Sequence, residues 1–450
     1  MLYLHAAEKL HKQKKGTFSV MKRILSIVLC LCIIATLSSS MLSCSKAKNP
    51  DGPMAYVLAQ KGSAYSLGLA ESFKVAFEEA GGNVTMETFP EGTEGFSEYF
   101  SKAIDVEADV IFLPDVISTA PALLKCAKEM GINVPILAGD TWESSIVLES
   151  VKDTGLDLYC ITFFDESDTD EDAMTFVDGF KKFLNENSEY YEMNGSGDMV
   201  AAVSALGFDA YNVAMSAIRT AAEEKGEDLT SVDVARALWS TDHDGITGNI
   251  SFDENGDALE KTVYIKKAAA DGSAFEFVKK ETVTSGCDKG SAPAYDKDGI
   301  AIDTDNKRIT VGVYQPTTGD DAPGGNQELL GVIYANSLDN KVMIDGKEYE
   351  VVLNVSDNGS LVEYSLATST KLVEEKSIVV IGSYGSGVSL GAVDTFEAAG
   401  LAAIGASCTG ADITFGNDYY FRTTVVETRE GSVMASFAMS LMEASSAKTE

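Results

Sequence analysis

The chain has 450 residues, of which 69 are acidic and 35 basic, so its formal net charge at neutral pH is -34. A field this negative repels phosphate backbones and anionic surfaces, which disfavours nucleic-acid binding and docking on an anionic membrane through a basic face. The length predicts two or three domains with ample core. Three histidines are too few for a histidine-based metal site or a conventional catalytic triad, so an enzyme would have to act without imidazole. We expect no enzyme activity, catalytic residues, metal or cofactor.

The first fifty residues have the layout of an export signal. Lys22 and Arg23 precede an apolar run over residues 24–37 and a short stretch of serines, as in a secretory signal peptide. The sequence ending at Cys44 resembles a bacterial lipobox, which implies lipidation of that cysteine and an extracytoplasmic location on the membrane. An ordinary signal with an incidental cysteine is the alternative. We predict a non-native upstream extension, a lipoprotein signal peptide and a polar tether over residues 1–20, 21–43 and 44–53.

From residue 54 onward, short apolar runs alternate with amphipathic stretches. The alternation predicts strands over residues 55–59, 84–89, 110–113, 135–137 and 159–164, and helices over 65–79, 95–105 and 120–130. Such an order is typical of a parallel, doubly wound sheet. An acidic loop over residues 165–172 precedes predicted helices over 173–185, 199–224 and 231–239 and strands over 248–252, 261–266 and 275–278.

A second series of the same kind follows a change in composition. Residues 282–307 are rich in Ser, Gly, Asp, Lys and Ala and show little periodicity, which predicts a linker. Beyond it we predict strands over residues 309–314, 349–355, 378–381, 402–404 and 420–424, and helices over 328–338, 361–375, 389–399 and 431–444. The pattern therefore predicts an α/β protein with two doubly wound, parallel-sheet lobes.

Several stretches resemble the type I solute-binding proteins of ABC importers, specifically the leucine/isoleucine/valine-binding group. Residues 311–319, VGVYQPTTG, resemble the segment that opens the family's mature domain, whereas ADVIFLP at 108–114, PILAGD at 135–140 and TGNISFDENG at 247–256 resemble its later half. The resemblance therefore implies a type I periplasmic-binding-protein fold in circularly permuted order. A lipobox-like segment at Cys287, without an apolar run before it, is consistent with a duplicated lipoprotein gene that lost its outer halves. A truncated tandem product is the alternative.

The resemblance also implies how the chain is divided between two lobes joined by three hinge crossings. The tether-bearing lobe is predicted to contain residues 54–164, 257–281 and 426–450, the second lobe residues 165–256 and 308–425, and the linker 282–307 joins the ancestral ends. Termini that lie close together in one lobe make such a permutation tolerable. We expect a monomer.

The family's carboxylate site implies ligand contacts in the later part of this chain. It uses a serine in a Gly/Ser-rich loop after one strand, which matches Ser386, and a threonine after the next strand, which matches Thr409 beside Cys408. Hydroxyls and backbone N–H groups at a helix start favour a carboxylate without a basic side chain. The alternative is that these hydroxyls only cap helices.

Residues of the other lobe would complete the site. Family position assigns the acid that receives an ammonium group to Asp140, and an aromatic residue facing the cleft to Tyr65. Without the resemblance, a loop aspartate is usually solvated and a tyrosine at a helix start usually packs. Val116 replaces a common family aromatic, and residues 319–326 hold no counterpart of the aromatic that covers the ligand. We hypothesise that Trp142 supplies this apolar cover instead.

The resemblance implies a lipid-anchored protein that captures an amino acid, branched-chain or similar, by closing two lobes around it and delivers it to an ABC permease. A ligand-sensing module for a membrane receptor is an alternative, and so is a non-functional tandem fragment. Residues 385–391 also match G-x-G-x-x-x-G, a weak dinucleotide pattern, but no acid-ended strand for a ribose follows at the expected distance. Residues 384–388 lack the G-x-S-x-G pattern of hydrolases.

Overall fold

The computed structural model describes residues 52–446, which form one unit from Pro53 onward. The predicted upstream extension, the signal peptide, Cys44 and most of the predicted tether lie outside the described residues. Among residues 52–446, no helix is long and apolar enough to cross a membrane.

The first part of the described chain builds a seven-stranded sheet. Its strands are β1 (Met54–Lys61), β2 (Asn83–Pro90), β3 (Val110–Leu113), β4 (Ile136–Ala138), β5 (Leu158–Thr162), β8 (Glu260–Ala268) and β9 (Phe275–Thr284). Their order is β2-β1-β3-β4-β5-β8-β9, with β1 to β5 parallel and β8 and β9 added antiparallel. The intervening helices are α1 (Ala64–Glu79), α2 (Ser97–Asp105), α3 (Ala120–Glu129) and α4 (Ser145–Val151). The order of the parallel strands is that of a doubly wound sheet.

A helical section and a short hairpin separate β5 from β8. The helices are α5 (Glu171–Asn185), α6 (Ser188–Met193), α7 (Ala202–Lys225) and α8 (Ser231–Leu238), and the hairpin consists of β6 (His243–Gly245) and β7 (Gly248–Ile250). Helix α5 begins where the Asp170 carboxylate accepts hydrogen bonds from the backbone N–H groups of Asp172 and Ala173. This cap satisfies donors that a helix start otherwise leaves without partners.

The last part of the described chain builds a six-stranded sheet. Its strands are β10 (Arg308–Gln315), β11 (Lys341–Ile344), β12 (Lys347–Asp357), β13 (Val379–Gly382), β14 (Ala402–Gly405) and β15 (Tyr420–Arg422). Their order is β11-β12-β10-β13-β14-β15, and all neighbours are parallel except β11 with β12. The helices are α9 (Ala322–Leu338), α10 (Ser365–Glu374), α11 (Ser386–Ala399) and α12 (Glu427–Ser446). Strands β3, β13 and β14 are buried throughout, as expected for parallel strands covered on both faces.

Each sheet is covered by helices from both parts of the chain. The last helix, α12, packs against α1 of the first sheet, whereas α7 packs against α9, and α8 against β13 and β14 of the second sheet. Tyr211 of α7 donates a hydrogen bond to the carbonyl of Asp339 at 2.7 Å, and Arg219 binds the carboxylate of Asp339 at 2.7 Å. Each sheet therefore depends on helices from the other part of the chain for part of its cover.

Several predicted boundaries differ from the structure. Helix α9 begins at Ala322 instead of residue 328, because Pro323 suits a first helical turn although two glycines follow it. Helix α11 begins at Ser386 instead of residue 389. Strand β9 extends to Thr284, into the predicted linker, because it pairs along the whole length of β8. Helices α4 and α6 and strand β11 were not predicted, since short elements show little periodicity.

Candidate functional site

Loops from both sheets meet at one cavity of about 390 Å³. The first sheet contributes the loops after β1, β2, β3 and β4, and the second sheet contributes those after β10, β12, β13 and β14. Every one of these loops leaves the carboxyl end of a parallel strand. Open α/β sheets bind their ligands at these strand ends. The cavity between the two sheets is therefore the candidate site.

Asp140 and Tyr65, both predicted from the sequence, meet in this cavity. The Tyr65 hydroxyl donates to Asp140 Oδ1 at 2.7 Å, and the Asp140 backbone N–H donates to Glu430 Oε1 at 3.2 Å. Only 6% of Asp140 is exposed, and burial raises the pKa of its carboxyl to about 6. Burial, followed by the charges of Asp140 and Glu430, raises the pKa of Tyr65 well above its ordinary value. The arrangement presents an oriented carboxylate to the cavity.

The predicted hydroxyl residues lie at different depths. Ser386 lines the cavity as the first residue of α11, and its hydroxyl accepts a hydrogen bond from the Gly410 N–H at 3.2 Å. That bond leaves the hydroxyl proton available to a ligand. Thr409 is fully buried and not part of the cavity lining, and its hydroxyl has no hydrogen-bond partner within the described chain. Cys408 is buried in the core, where its Sγ lies 4.0 Å from the Tyr420 hydroxyl, so it does not reach the cavity.

Trp142 does not cover the cavity. Its side chain is fully buried in the core beneath the first sheet, and its indole N–H donates to the carbonyl of Asp115 at 2.8 Å. Residues Asp140–Trp142 form a 3-10 turn, which points successive side chains in different directions. Asp140 and Thr141 therefore line the cavity while Trp142 turns into the core, and the hypothesis of apolar cover from Trp142 is corrected.

Tyr384 is the aromatic residue that sequence reasoning missed. It lines the cavity and is 7% exposed, and its ring packs so closely on Gly324 that a side chain there would collide with it. Its backbone N–H donates to Gln315 Oε1 at 3.0 Å, and its phenol has no hydrogen-bond partner within the described chain. The sequence feature that could have identified Tyr384 is its place as an aromatic residue within the Gly/Ser-rich loop before α11.

Two further carboxyls lie close to Tyr384. Glu328 of α9 is fully buried and accepts hydrogen bonds from the Gln315 amide and the Ser407 hydroxyl, and burial raises its pKa to about 7. Asp321 lines the cavity, and burial, followed by the charges of Asp320 and Glu91, raises its pKa to about 6. The cavity thus concentrates negative charge. Within residues 52–446, no group of three or more His, Cys, Asp or Glu residues is placed to hold a metal ion.

Five carboxyls with raised pKa values predict that the ligand-free protein becomes less stable as the pH rises. Burial raises the pKa values of Asp140 and Asp321 to about 6, and those of Asp115, Glu328 and Glu427 to about 7. Between about pH 4.5 and 7 the folded state therefore binds more protons than the unfolded state, so its stability declines across that window. Urea unfolding should give a larger free energy of unfolding at about pH 5.5 than at about pH 7.5.

The variant Glu328→Gln removes one of these titrating groups and should reduce the difference between the two pH values. This control separates the effect of the buried carboxyls from general repulsion within an acidic chain, which the variant changes little. A stability that rises from about pH 5.5 to 7.5 would contradict the expectation.

Comparisons with known proteins assign the chain to a family. Residues 38–273 and 308–447 match the family model described as periplasmic binding protein, which leaves residues 274–307 unmatched. No curated protein matched. The matches among solved structures include the following three. A leucine-binding protein from Thermotoga maritima is 27% identical, with 52% of this chain and 61% of that chain covered and a TM-score of 0.42.

A branched-chain amino acid transporter substrate-binding protein from Streptococcus pneumoniae, in complex with isoleucine, is 20% identical, with 51% of this chain and 60% of that chain covered and a TM-score of 0.35. An ABC transporter solute-binding protein from Clostridium phytofermentas, with bound L-rhamnose, is 11% identical, with 88% and 82% covered and a TM-score of 0.39. The chain spans about three fifths of the length of the first two. Because the family model matches most of its residues, this chain belongs to the periplasmic binding protein family.

Proposed function

We propose that this protein captures an amino acid between its two lobes, outside the cytoplasm, and delivers it to an ABC importer. The observation that carries the proposal is the convergence of eight strand-end loops, four from each sheet, on one cavity. Family membership supports a binding role in place of an enzymatic one. The resemblance of the sequence to the leucine/isoleucine/valine-binding group supports an amino acid, branched-chain or similar, as the ligand.

The chemistry of the cavity suits an amino acid, which carries a cation and an anion a few ångströms apart. The Asp140 carboxylate, held by Tyr65, would receive the ammonium group. The Ser386 hydroxyl and the first N–H groups of α11 would receive the carboxylate, since a helix start has unpaired donors and a partial positive charge. Thr409 would add a contact to the carboxylate, since its buried hydroxyl has no hydrogen-bond partner among the described residues.

We infer that the lobes close around the ligand and that only the closed form contacts it from both sides. The lobes would comprise residues 54–164, 257–281 and 426–450, and residues 165–256 and 308–425, in a circularly permuted order. The packing of α12 on α1 and of α7 on α9 supports this division. A lipid on Cys44 would hold the monomer at the membrane near its permease.

Calorimetric titration of the purified full-length chain with each of the twenty amino acids tests the proposal. At least one amino acid should bind, with one site per chain. Binding of none of them by a folded sample would overturn the proposed function.

The variant Ser386→Ala should weaken binding of that amino acid by about 10-fold to 100-fold, because a hydrogen bond to a charged group contributes about 1.5 to 3 kcal/mol. Ser369→Ala is the matched control, since Ser369 is equally buried but donates to the Ser365 carbonyl at 2.6 Å, away from the cavity. Affinity should be unchanged in the control. Equal affinity of Ser386→Ala and the unmodified chain would remove Ser386 from the site.

A further inference from the structure

Acidic side chains outnumber basic ones around the cavity. Its lining contains the acids Glu91, Asp140, Asp320, Asp321 and Glu363, whereas Lys61 is the one basic residue among the described lining residues. An amino acid with a neutral side chain would bring a single cation, which Asp140 already accounts for. The remaining negative charge therefore exceeds what such a ligand needs.

Asp321 is a partly buried acid of this lining whose carboxylate has no partner among the described residues. It occupies the position before α9, yet its side chain makes no capping bond, and no hydrogen bond or ion pair reaches its carboxylate from the described residues. The carboxylate is partly buried beside Gly385, where an added Cβ would lie 3.2 Å from Asp321 Oδ2. A buried carboxylate without a partner destabilises the folded protein. A ligand cation at this point would offset that penalty.

Tyr384 offers a second, independent indication of a ligand. Its phenol is buried at the cavity without a hydrogen-bond partner in the described chain. Burial, followed by the charges of Asp140, Asp321 and Glu328, raises the pKa of this phenol well above its ordinary value. Gln315 accepts a hydrogen bond from the Tyr384 N–H and donates one to Glu328, and Asp321 lies beside the neighbouring Gly385. An aromatic ring in such a place can pack against an alkyl chain and attract a cation over its face.

We propose that the ligand is an amino acid with a cationic side chain. Its α-ammonium group would bind Asp140, its carboxylate would bind the start of α11 at Ser386, and its side-chain cation would lie between Asp321 and the Tyr384 ring. The inference rests on the proposed capture of an amino acid, and it departs from the branched-chain ligand that the sequence resemblance implies. A volume of about 390 Å³ is within the range of small-molecule sites.

Paired titrations of the full-length chain with L-lysine and L-norleucine test the inference, because the two amino acids differ in the terminal ammonium group. Lysine should bind at least about tenfold more tightly than norleucine, and added salt should reduce this ratio. Asp321→Asn should bring the ratio close to one. Asp298→Asn, which makes the same change of charge at an exposed position outside the cavity, should preserve the ratio.

Norleucine or leucine binding as tightly as lysine would overturn the cationic ligand and leave amino-acid capture standing. A lysine preference that survives Asp321→Asn would overturn the role of Asp321. Absence of binding by every amino acid, in a sample that unfolds cooperatively, would overturn the proposed function together with the inference.

Discussion

Replacing Asp140 with asparagine is expected to abolish amino-acid binding at micromolar ligand concentrations. Asp140 is the buried carboxylate of the cavity on the first sheet, and Tyr65 orients it through a bond of 2.7 Å. Truncating one partner of a buried charge pair costs about 2 to 5 kcal/mol, which corresponds to a loss of affinity of about 30-fold to several thousandfold. Calorimetric titration of Asp140→Asn with the best ligand of the unmodified chain measures the loss.

Stability provides the control for this variant. Because burial raises the pKa of Asp140 to about 6, its charge opposes folding at neutral pH. The ligand-free Asp140→Asn protein should therefore melt at the same temperature as the unmodified chain or at a higher one.

Tyr65→Phe, which keeps the carboxylate but removes the hydroxyl that orients it, should weaken binding less than Asp140→Asn. Tight binding by a folded Asp140→Asn protein would show that the ammonium group binds elsewhere.

The substitution Lys266→Met is expected to destabilise the protein by about 3 to 5 kcal/mol, because it leaves two acids without their shared cation. Lys266 of β8 is 2% exposed, and its ammonium lies 2.6 Å from Glu143 and 3.1 Å from Asp165. Burial lowers the pKa of Lys266, but the charges of Glu143 and Asp165 outweigh it and keep that pKa above its ordinary value. Urea unfolding at neutral pH measures the loss.

The position of this ion cluster explains the expected size of the effect. Glu143 also accepts hydrogen bonds from the Thr162 hydroxyl at 2.5 Å and from the Ala202 N–H at 3.2 Å, at the end of β5 and the start of α7. The cluster therefore joins the first sheet to the helix that packs on the second. Lys279→Met is the control, since Lys279 forms a half-exposed pair with Glu281 and should cost less than about 1 kcal/mol. A loss below about 1 kcal/mol for Lys266→Met would refute the expectation.

Much of the fold was predictable because its signals are local. Apolar runs such as residues 110–113 alternate with helical periodicity, and this alternation predicted the parallel strands in their correct positions. Short elements were not predicted, because β11 has four residues and α6 has six, too few to show a hydrophobic period. The boundary of α9 was misplaced because Gly324 and Gly325 lower helix propensity, although tertiary packing makes both part of the helix.

The sequence by itself determined that this is an acidic α/β protein of two sheets, because strand and helix periods are properties of neighbouring residues. Family resemblance then selected Asp140, Tyr65 and Ser386, which the structure brings to one cavity. Only the tertiary structure decided that Trp142, two residues after Asp140, turns into the core, and that Tyr384 enters the space left by Gly324. It also decided that the Asp321 carboxylate has no partner within residues 52–446, since the direction of a side chain in a turn depends on contacts that are distant in sequence.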